Sequence, residues 1–159
     1  MNEIYNHSKI KAMVSLTKGE GFGRPLLEFS LTKKPIMVSG WSGHMDFINP
    51  EFSLAIGGTL NKVDKSAVVP NMILPESEWF SPKPADIGNG YKSILKNYKK
   101  HLELAKRQAH HSKTNFSWKA MDVLLSSHLD KNIPKFAKQV TLNLPNLNTS
   151  NKLELPKLK

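Results

Sequence analysis

The fold is decided by residues 12–38, which read AMVSLTKGEGFGRPLLEFSLTKKPIMV. Two apolar runs of strand length, 12–16 and 35–38, enclose a glycine-rich loop and a segment of helical pattern at 25–32. Apolar runs of this kind are typical of strands buried on both faces, as in a parallel sheet. Strand, helix and strand with short connections form a βαβ unit, so we predict two parallel strands with a right-handed crossover.

Two carboxylates mark this unit. Glu20 lies among glycines in the loop after the first strand, and Glu28 follows it inside the predicted helix, just after Pro25. Glycines at 21 and 23 let a ligand approach the backbone closely, and proline suits the first turn of a helix. The free N–H groups and the positive dipole end of the helix favour a phosphate. The residues therefore predict a site for a phosphorylated, hydroxyl-rich ligand, and a nucleotide-sugar fits that description.

Composition limits the class of protein. At 159 residues the chain suits about one domain, and it has no cysteine, which excludes disulfides, thiolate zinc sites and a cysteine nucleophile. No run of about 18 apolar residues occurs, so we expect no membrane span. The first residues, MNEIYNHSKIK, are polar and contain no signal-peptide core. We therefore expect a cytoplasmic protein.

The chain is strongly basic, with a formal net charge of +10 from 23 Lys+Arg and 13 Asp+Glu. Such a surface attracts anions, including nucleic acid, acidic membranes and nucleotide phosphates. The excess is spread along the chain, so we interpret it, including the basic segment 92–113, as solvated lysine-rich faces. A nucleic-acid partner is not expected, because no aromatic interleaving or binding motif accompanies the charge.

We divide the chain into four regions. For residues 1–58 we predict a partial Rossmann-like region that contains the ligand site, and for 59–84 an irregular connection. Residues 85–133 predict C-terminal helices, and 134–159, rich in Pro, Asn and Lys, predict an extended or disordered tail. A last helix would begin at a cap on Asn115 or Ser117 and reach about 129. The core residues expected in these helices are Ile94, Leu95, Tyr98, Leu102, Leu104, Trp118, Met121, Val123, Leu124 and Leu125.

The predicted fold class is therefore α/β, a partial Rossmann-like parallel sheet with C-terminal helices and a tail. A doubly wound nucleotide-binding domain needs two βαβαβ halves, and only one βαβ unit with one candidate for a further parallel strand is found here. We therefore expect the sheet to have an uncovered edge, completed by a partner chain or by the rest of a longer enzyme.

Residues 10–48 resemble the C-terminal domain of GT-B-fold glycosyltransferases of family 4. The resemblance rests on Glu-Gly-Phe-Gly at 20–23, Pro-Leu-Leu-Glu at 25–28, the strand 35–38 and the loop Trp-Ser-Gly-His-x-Asp at 41–46. It continues more loosely to about residue 134. The Glu-x7-Glu spacing alone is a weak signal, but within EGFGxPLLE after a buried strand it is a strong one.

The resemblance implies transfer of a sugar from a nucleotide-diphosphate donor to an acceptor, with retention of configuration and usually without a metal. Glu20, the candidate catalytic residue, would bind ring hydroxyls of the donor sugar, and Glu28 would accept bonds from the ribose hydroxyls. The other donor-binding positions are Gly21, Phe22 and Gly23, whose amides would meet the sugar and diphosphate, and Leu27, which would pack near the base. We expect a UDP- or GDP-sugar donor, no cofactor and no metal site.

The sequence also departs from the family pattern. Family members carry an Arg/Lys pair that clamps the diphosphate, earlier in this domain, and an N-terminal Rossmann domain that binds the acceptor. Neither is found in these 159 residues. The chain resembles the last part of such an enzyme, so we expect it not to catalyse transfer alone, and a separate chain is one source of the missing domain. The acceptor is unknown.

Several side chains also admit structural interpretations. Lys18 and Arg24 flank the loop and are interpreted as solvated charges, although each could reach a phosphate. Phe22 could anchor the loop in the core, and His44 with Asp46 could form a hydrogen-bonded pair. Two alternatives for function stay open: a non-enzymatic basic module that binds nucleic acid or an acidic partner, and a degenerate remnant without activity.

Overall fold

A computed structural model describes residues 1–134. The elements of this part are five α-helices, five strands and two short 3₁₀ turns, in the order α1 (Asn2–Asn6), β1 (Met13–Ser15), α2 (Arg24–Ser30), β2 (Ile36–Ser39), a turn at Gly43–Asp46, β3 (Leu54–Ile56), β4 (Gly58–Lys62), a turn at Lys65–Ala67, β5 (Glu78–Pro82), α3 (Pro84–Lys96), α4 (Tyr98–Asn115) and α5 (Trp118–Asn132). The tail predicted for 134–159 lies, except for Pro134, outside the described residues.

The main sheet has three parallel strands in the order β1-β2-β3. Met13 is opposite Ile36, and Met37 is opposite Leu54. Because α2 lies between β1 and β2 in the chain, the predicted βαβ unit is confirmed, and the described residues form an α/β fold. The third strand was only a candidate in the sequence.

The two predicted strands differ in burial. All four residues of β2 are buried, as expected for a central strand. In β1 no residue is buried and Val14 is 36 % exposed. The prediction that both strands are covered on both faces is therefore wrong for β1, because β1 lies at the edge of the three-stranded sheet.

Helices cover both faces of the sheet. On one face, Leu26 and Phe29 of α2 pack against Ile36 and Val38, together with Phe47 from the segment that follows the first 3₁₀ turn. On the other face, the core residues are Met37, Ile56 and, from α3, Ile94. Successive residues of β2 point to opposite faces, so this one strand contributes to both cores.

The helical region is broken where the sequence predicted a continuous pattern. Asn97 ends α3, and α4 begins at the next residue. Of the predicted core residues here, Ile94 is buried, whereas Leu95 is 80 % exposed; Tyr98, Leu102 and Leu104 are half-buried. The buried face of α4 instead consists of small and polar residues: His101, Ala105, Gln108, Ala109 and Ser112.

Helix α5 overturns a further prediction. It begins where the sequence predicted, with the Ser117 hydroxyl capping the N–H of Ala120. No residue of α5 is buried, and Trp118 is 93 % exposed. The other residues predicted to face inward are also exposed: Met121, Val123, Leu124 and Leu125. The apolar side chains are present, but the described residues offer no surface that covers them.

The connection predicted to be irregular, 59–84, contains one paired element. Strands β4 and β5 pair antiparallel, with Leu60 opposite Phe80, and the residues between them, 63–77, form turns and an isolated bridge. We call β4, β5 and the residues between them the hairpin. The hairpin is fastened to the rest of the molecule by Phe80, whose N–H donates to the carbonyl of Lys18 at 3.1 Å and whose side chain is buried. The sequence was hard to interpret here because Gly, Pro and Asn interrupt the strand pattern.

Candidate functional site

The candidate site lies at the carboxyl ends of β1 and β2. Because these strands are parallel neighbours, the segments that follow them emerge at the same edge of the sheet. We call residues 16–23 the first loop and residues 40–46 the second loop. In open α/β sheets, ligands bind outside the carboxyl ends of the strands. Ser39, the last residue of β2, already joins the two segments, since its hydroxyl donates to the Thr17 carbonyl at 2.7 Å.

The backbone of Glu20 is held by the second loop. Its N–H donates to Oγ of Ser42 at 2.9 Å, and its carbonyl accepts from the same hydroxyl at 2.6 Å. The carbonyl also accepts from the N–H of Gly43 at 2.9 Å. The side chain of Glu20 is half-buried and makes no hydrogen bond or ion pair within residues 1–134. The backbone of Glu20 is thus held in place, while its carboxylate oxygens, which can accept hydrogen bonds, have no partner among residues 1–134.

Ser42 adopts a strained backbone conformation. Its φ of 87° and ψ of −176° lie in a region that is essentially restricted to glycine and costs on the order of 1–3 kcal/mol. The next residue, Gly43, lies so close to the first loop that an added Cβ would stand 1.8 Å from the carbonyl oxygen of Gly21. The two loops are therefore in direct backbone contact.

The two glycines that follow Glu20 have different surroundings. Gly23 has a φ of +83°, and an added Cβ would stand 2.9 Å from Cβ of His44 and 3.2 Å from Cγ of Glu20. Glycine is therefore required at position 23 by the turn into α2 and by packing between these two side chains. Gly21 is exposed, and an added Cβ there would meet no atom within 4 Å.

The first loop presents backbone donors. In the part of the chain that the structure describes, the N–H groups of Gly21, Phe22 and Gly23 donate no hydrogen bond. The carbonyl of Gly23 accepts from Leu26 and Leu27, which starts α2. Three consecutive N–H groups thus have no acceptor among the described residues, two of them in exposed residues, Gly21 and Phe22, and one in the buried Gly23.

Glu28 lies on α2 and is engaged differently from Glu20. Its Oε1 is 2.9 Å from Nε of Arg24, and the two side chains are 41 % and 83 % exposed. An exposed i,i+4 ion pair contributes little to stability, typically about 0.3–0.5 kcal/mol. Glu28 also borders a groove of about 310 Å³ beside α1, and with the half-buried Leu27 it borders another of about 210 Å³ beside Phe116. No hydrogen bond joins Glu28 to Glu20 within the described range.

The two cations beside the first loop have neighbours of their own. Lys18 places its Nζ 4.4 Å from the centre of the Trp79 ring, a cation–π contact, and Arg24 is paired with Glu28. Both residues are exposed, so these contacts are compatible with the interpretation of the two cations as solvated charges. The contacts of these two cations do not indicate an anion-binding role for either of them.

Aromatic rings flank the loops. Phe22 is 41 % exposed and tilts against Phe47 at a centroid distance of 5.2 Å. Trp41 is 44 % exposed and stacks nearly parallel to Phe80, at 6.2 Å and an interplanar angle of 9°. Phe22 is thus a partial anchor for the first loop, and Trp41 joins the second loop to the hairpin.

His44 and Asp46 do not form the predicted pair. His44 is fully buried, and its Nε2 lies 2.7 Å from the carbonyl oxygen of Ser39, whereas Asp46 is exposed. Nδ1 of His44 and Oγ1 of Thr17 have no hydrogen-bond partner among the described residues. His44 therefore supports the second loop from inside the protein, and its Cβ lies next to Gly23.

Sequence reasoning missed Ser39, Ser42 and Trp41 as parts of the site. The hydroxyl contacts of both serines bridge 22 positions in the chain, so no local pattern reports them. The signal that existed was topological: Ser39 and Ser42 follow a predicted parallel neighbour of the strand that precedes Glu20. Once that pairing is assumed, polar residues at the ends of both strands become site candidates.

Two larger grooves lie elsewhere, on the flanks of α4, and each encloses about 620 Å³. They are basic, with Lys33, Lys106 and Lys113 along one and Arg107 along the other. The Arg107 guanidinium stands 4.3 Å over the Phe52 ring. Neither groove is lined by the first or second loop, so size alone does not identify the predicted site.

The described residues contain neither a cluster of metal-ligating side chains nor a helix that could span a membrane. Across residues 1–134, no three side chains of the His, Cys, Asp or Glu type lie close enough together to share a metal ion. Over the same range, every helix is too short or too polar to traverse a bilayer. Function has to be inferred from the geometry of the two loops, because no family model, curated protein or solved structure matches the chain.

Proposed function

We propose that the chain is the donor-binding part of a retaining glycosyltransferase of the GT-B type, and that the first and second loops hold the sugar of a nucleotide-diphosphate donor. The observation that carries the proposal is Glu20, whose backbone is fully hydrogen-bonded while its carboxylate is unused within residues 1–134. An ionised carboxylate can accept two hydroxyls, and charge-assisted hydrogen bonds are the stronger kind.

The backbone donors of the first loop support the same ligand. The N–H groups of Gly21, Phe22 and Gly23 are unused by the described residues, and they directly follow Glu20. Consecutive backbone N–H groups form concave sites for anions such as phosphate. The carboxylate proposed to accept hydrogen bonds from the sugar hydroxyls is thus followed directly by the N–H groups proposed to donate to the phosphates. A sugar diphosphate requires both kinds of group.

Glu28 is proposed to bind the ribose hydroxyls. Its present partner, Arg24, is 83 % exposed, so exchanging that ion pair for hydroxyl groups costs little. Leu27, the preceding residue, is half-buried and is proposed to pack near the base. Glu20 and Glu28 would then hold opposite ends of the donor, with the diphosphate between them.

The three-stranded parallel sheet, with helices on both faces, supports a partial Rossmann-like domain. The two cations at the site have other contacts, Lys18 with the Trp79 ring and Arg24 with Glu28. We propose that the groups that clamp the diphosphate and bind the acceptor come from a further Rossmann domain, on a separate chain or on a longer product. The 159 residues alone should therefore bind a donor without turning it over.

Isothermal titration of the full chain with UDP- and GDP-sugars tests the proposal. Glu28→Ala should weaken binding of the nucleotide-sugar and of the free nucleoside diphosphate, each about tenfold, which corresponds to about 1.4 kcal/mol. Glu20→Ala should weaken the nucleotide-sugar by a similar factor and leave the free diphosphate unchanged, because Glu20 is proposed to contact only the sugar. Glu51→Ala is the matched control and should bind as the wild type does, since it removes an exposed carboxylate outside both loops.

The proposal fails if the folded wild-type chain binds neither donor nor diphosphate at millimolar concentration. It also fails if Glu20→Ala and Glu28→Ala bind as the wild type does. The alternative function, a basic module that binds nucleic acid, can be tested at the basic grooves beside α4. Binding of a nucleic acid that falls steeply with salt, and is lost on Arg107→Ala but not on Glu20→Ala, would favour the basic module.

A further inference from the structure

The hydroxyl of Ser42 is the point at which the second loop holds Glu20. It accepts from the N–H of Glu20 at 2.9 Å and donates to the carbonyl of the same residue at 2.6 Å. The N–H of Glu20 has this one partner within the described residues, whereas its carbonyl has a second in the N–H of Gly43. Loss of the hydroxyl would thus release the N–H of Glu20 completely and its carbonyl only in part.

We propose that Ser42 is a positioning residue that fixes the direction of the Glu20 carboxylate and thereby sets which sugar hydroxyls the site accepts. This inference rests on the proposed function for its ligand. The structural part of it, that the Ser42 hydroxyl holds the N–H of Glu20, stands without a ligand.

The residues around Glu20 explain why it needs such a support. Gly19 and Gly21 flank it, and an added Cβ at either would meet no atom within 4 Å. Glycine is the most freely rotating residue, so neither neighbour restricts the orientation of Glu20. The nearest other anchor toward the N-terminus is Lys18, whose carbonyl accepts from the N–H of Phe80 at 3.1 Å.

The backbone of Ser42 indicates that the hydroxyl contributes more than packing. Its φ of 87° and ψ of −176° suit glycine, and glycine occurs two positions earlier and one position later, at Gly40 and Gly43. A serine at this position keeps a conformation that a glycine would adopt without strain. The two hydrogen bonds to Glu20 are the contacts that a glycine could not make.

A fixed carboxylate distinguishes sugars by the positions of their hydroxyls. A site built to hydrogen-bond a hydroxyl rejects an analogue that lacks or inverts it, because a buried polar group is then left unpaired. A carboxylate on a mobile loop can follow the hydroxyl instead. Removing Ser42 should therefore reduce discrimination between donors that differ at one ring carbon, besides weakening binding.

The first measurement needs no ligand. Amide hydrogen exchange of the full chain, followed by NMR, should show that Ser42→Gly accelerates exchange at Glu20 at least tenfold. Lys33→Gly is the matched control, because Lys33 is a second residue of positive φ, at 60°, and precedes β2 at the opposite edge of the sheet. Unchanged exchange at Glu20 in Ser42→Gly would overturn the proposal, and so would equal acceleration in the control.

The second measurement is a double-mutant cycle of donor affinity. Ser42→Gly should weaken the preferred nucleotide-sugar about tenfold in the wild-type background and have no effect when Glu20 is already alanine. It should also bring the affinities of two epimeric donors closer together. Additive effects of the two substitutions, or an unchanged ratio of the epimers, would contradict a positioning role and indicate a general loss of structure.

Ser42→Ala adds a check on folding, because it removes the hydroxyl and keeps the strain, whereas Ser42→Gly removes both. The two variants should show the same loss of affinity and differ in stability, with alanine the less stable. A loss of affinity in Ser42→Ala alone would overturn the proposal. If the wild-type chain binds no donor, the proposed function fails, and the exchange experiment still decides the role of Ser42.

Discussion

Strand β2 and helix α5 are both rich in apolar residues, yet β2 is buried and α5 is exposed. All four residues of β2 are buried, between α2 on one face and α3 on the other. No residue of α5 is buried, although it carries Trp118, Met121 and several leucines. Burial is therefore a property of two surfaces that meet, and an apolar pattern specifies only one of them.

The largest expected effect comes from making the same substitution, leucine to alanine, in the core around β2 and on α5. Leu26→Ala, in a leucine that is 2 % exposed, should lower the free energy of unfolding by about 2–5 kcal/mol, because it leaves a cavity in the core. Leu125→Ala, in a leucine that is 58 % exposed on α5, should change it by about 0.5 kcal/mol or less. Urea-induced unfolding of both variants gives the comparison directly.

Equal losses in the two variants would break the comparison, since they would mean that α5 is covered in solution. Repeating the measurement over a range of protein concentration separates the two ways in which that can happen. A loss at Leu125 that depends on concentration indicates association, and one that does not indicates contact within the chain.

The next effect concerns the polar face of α4. The Gln108 side chain donates to the Phe47 carbonyl at 2.7 Å and accepts from the N–H of Asn49 at 2.9 Å. Gln108→Leu should cost about 1–3 kcal/mol for each buried group left unpaired. Asn132→Leu on α5 removes an exposed side-chain bond to His128 and should have almost no effect. A Gln108→Leu variant as stable as the wild type in urea would refute this account.

The smallest effect is a dependence on pH. Burial, with a smaller contribution from the nearby Lys100 charge, holds the pKa of His101 below its ordinary value of 6.5, and the His101 ring contacts the Ser93 hydroxyl at 2.9 Å. The folded state then binds fewer protons than the unfolded state in this range, so stability is complete above about pH 6.5 and declines as the pH falls below it, toward the lowered pKa.

Unfolding in urea at several pH values measures this decline. His101→Gln should remove the part of the decline that His101 causes. His128→Gln serves as the control, because it removes an exposed histidine from α5. A decline that persists unchanged in His101→Gln would assign the pH dependence to other groups.

The sequence predicted those parts of the fold that depend on neighbouring residues. The βαβ unit follows from apolar runs and from the glycines and Pro25 between them, and the structure confirms it. The start of α5 at Ser117 was readable as a cap. These features are local, so the residues that produce them lie within a few positions of one another.

What the sequence could not predict depends on distant contacts. The buried face of α4 carries His101, Gln108 and Ser112, which look like solvent-exposed residues until their partners are known. Leu95 looks like a core residue but faces no partner within the described part. In the candidate site, Glu20 was predicted from its motif, whereas Ser42 was not predicted, because its hydroxyl reaches across 22 positions of the chain.

The pairing of β1 with β2 has one more consequence, which concerns strand register. Both serine hydroxyls that join the loops lie at or just beyond the end of β2, and both reach residues just beyond β1. Side chains alternate between the faces of a strand, so a shift of one residue in this pairing would move the Ser39 hydroxyl to the other face, away from Thr17. The register that buries β2 is therefore also a condition for joining the two loops.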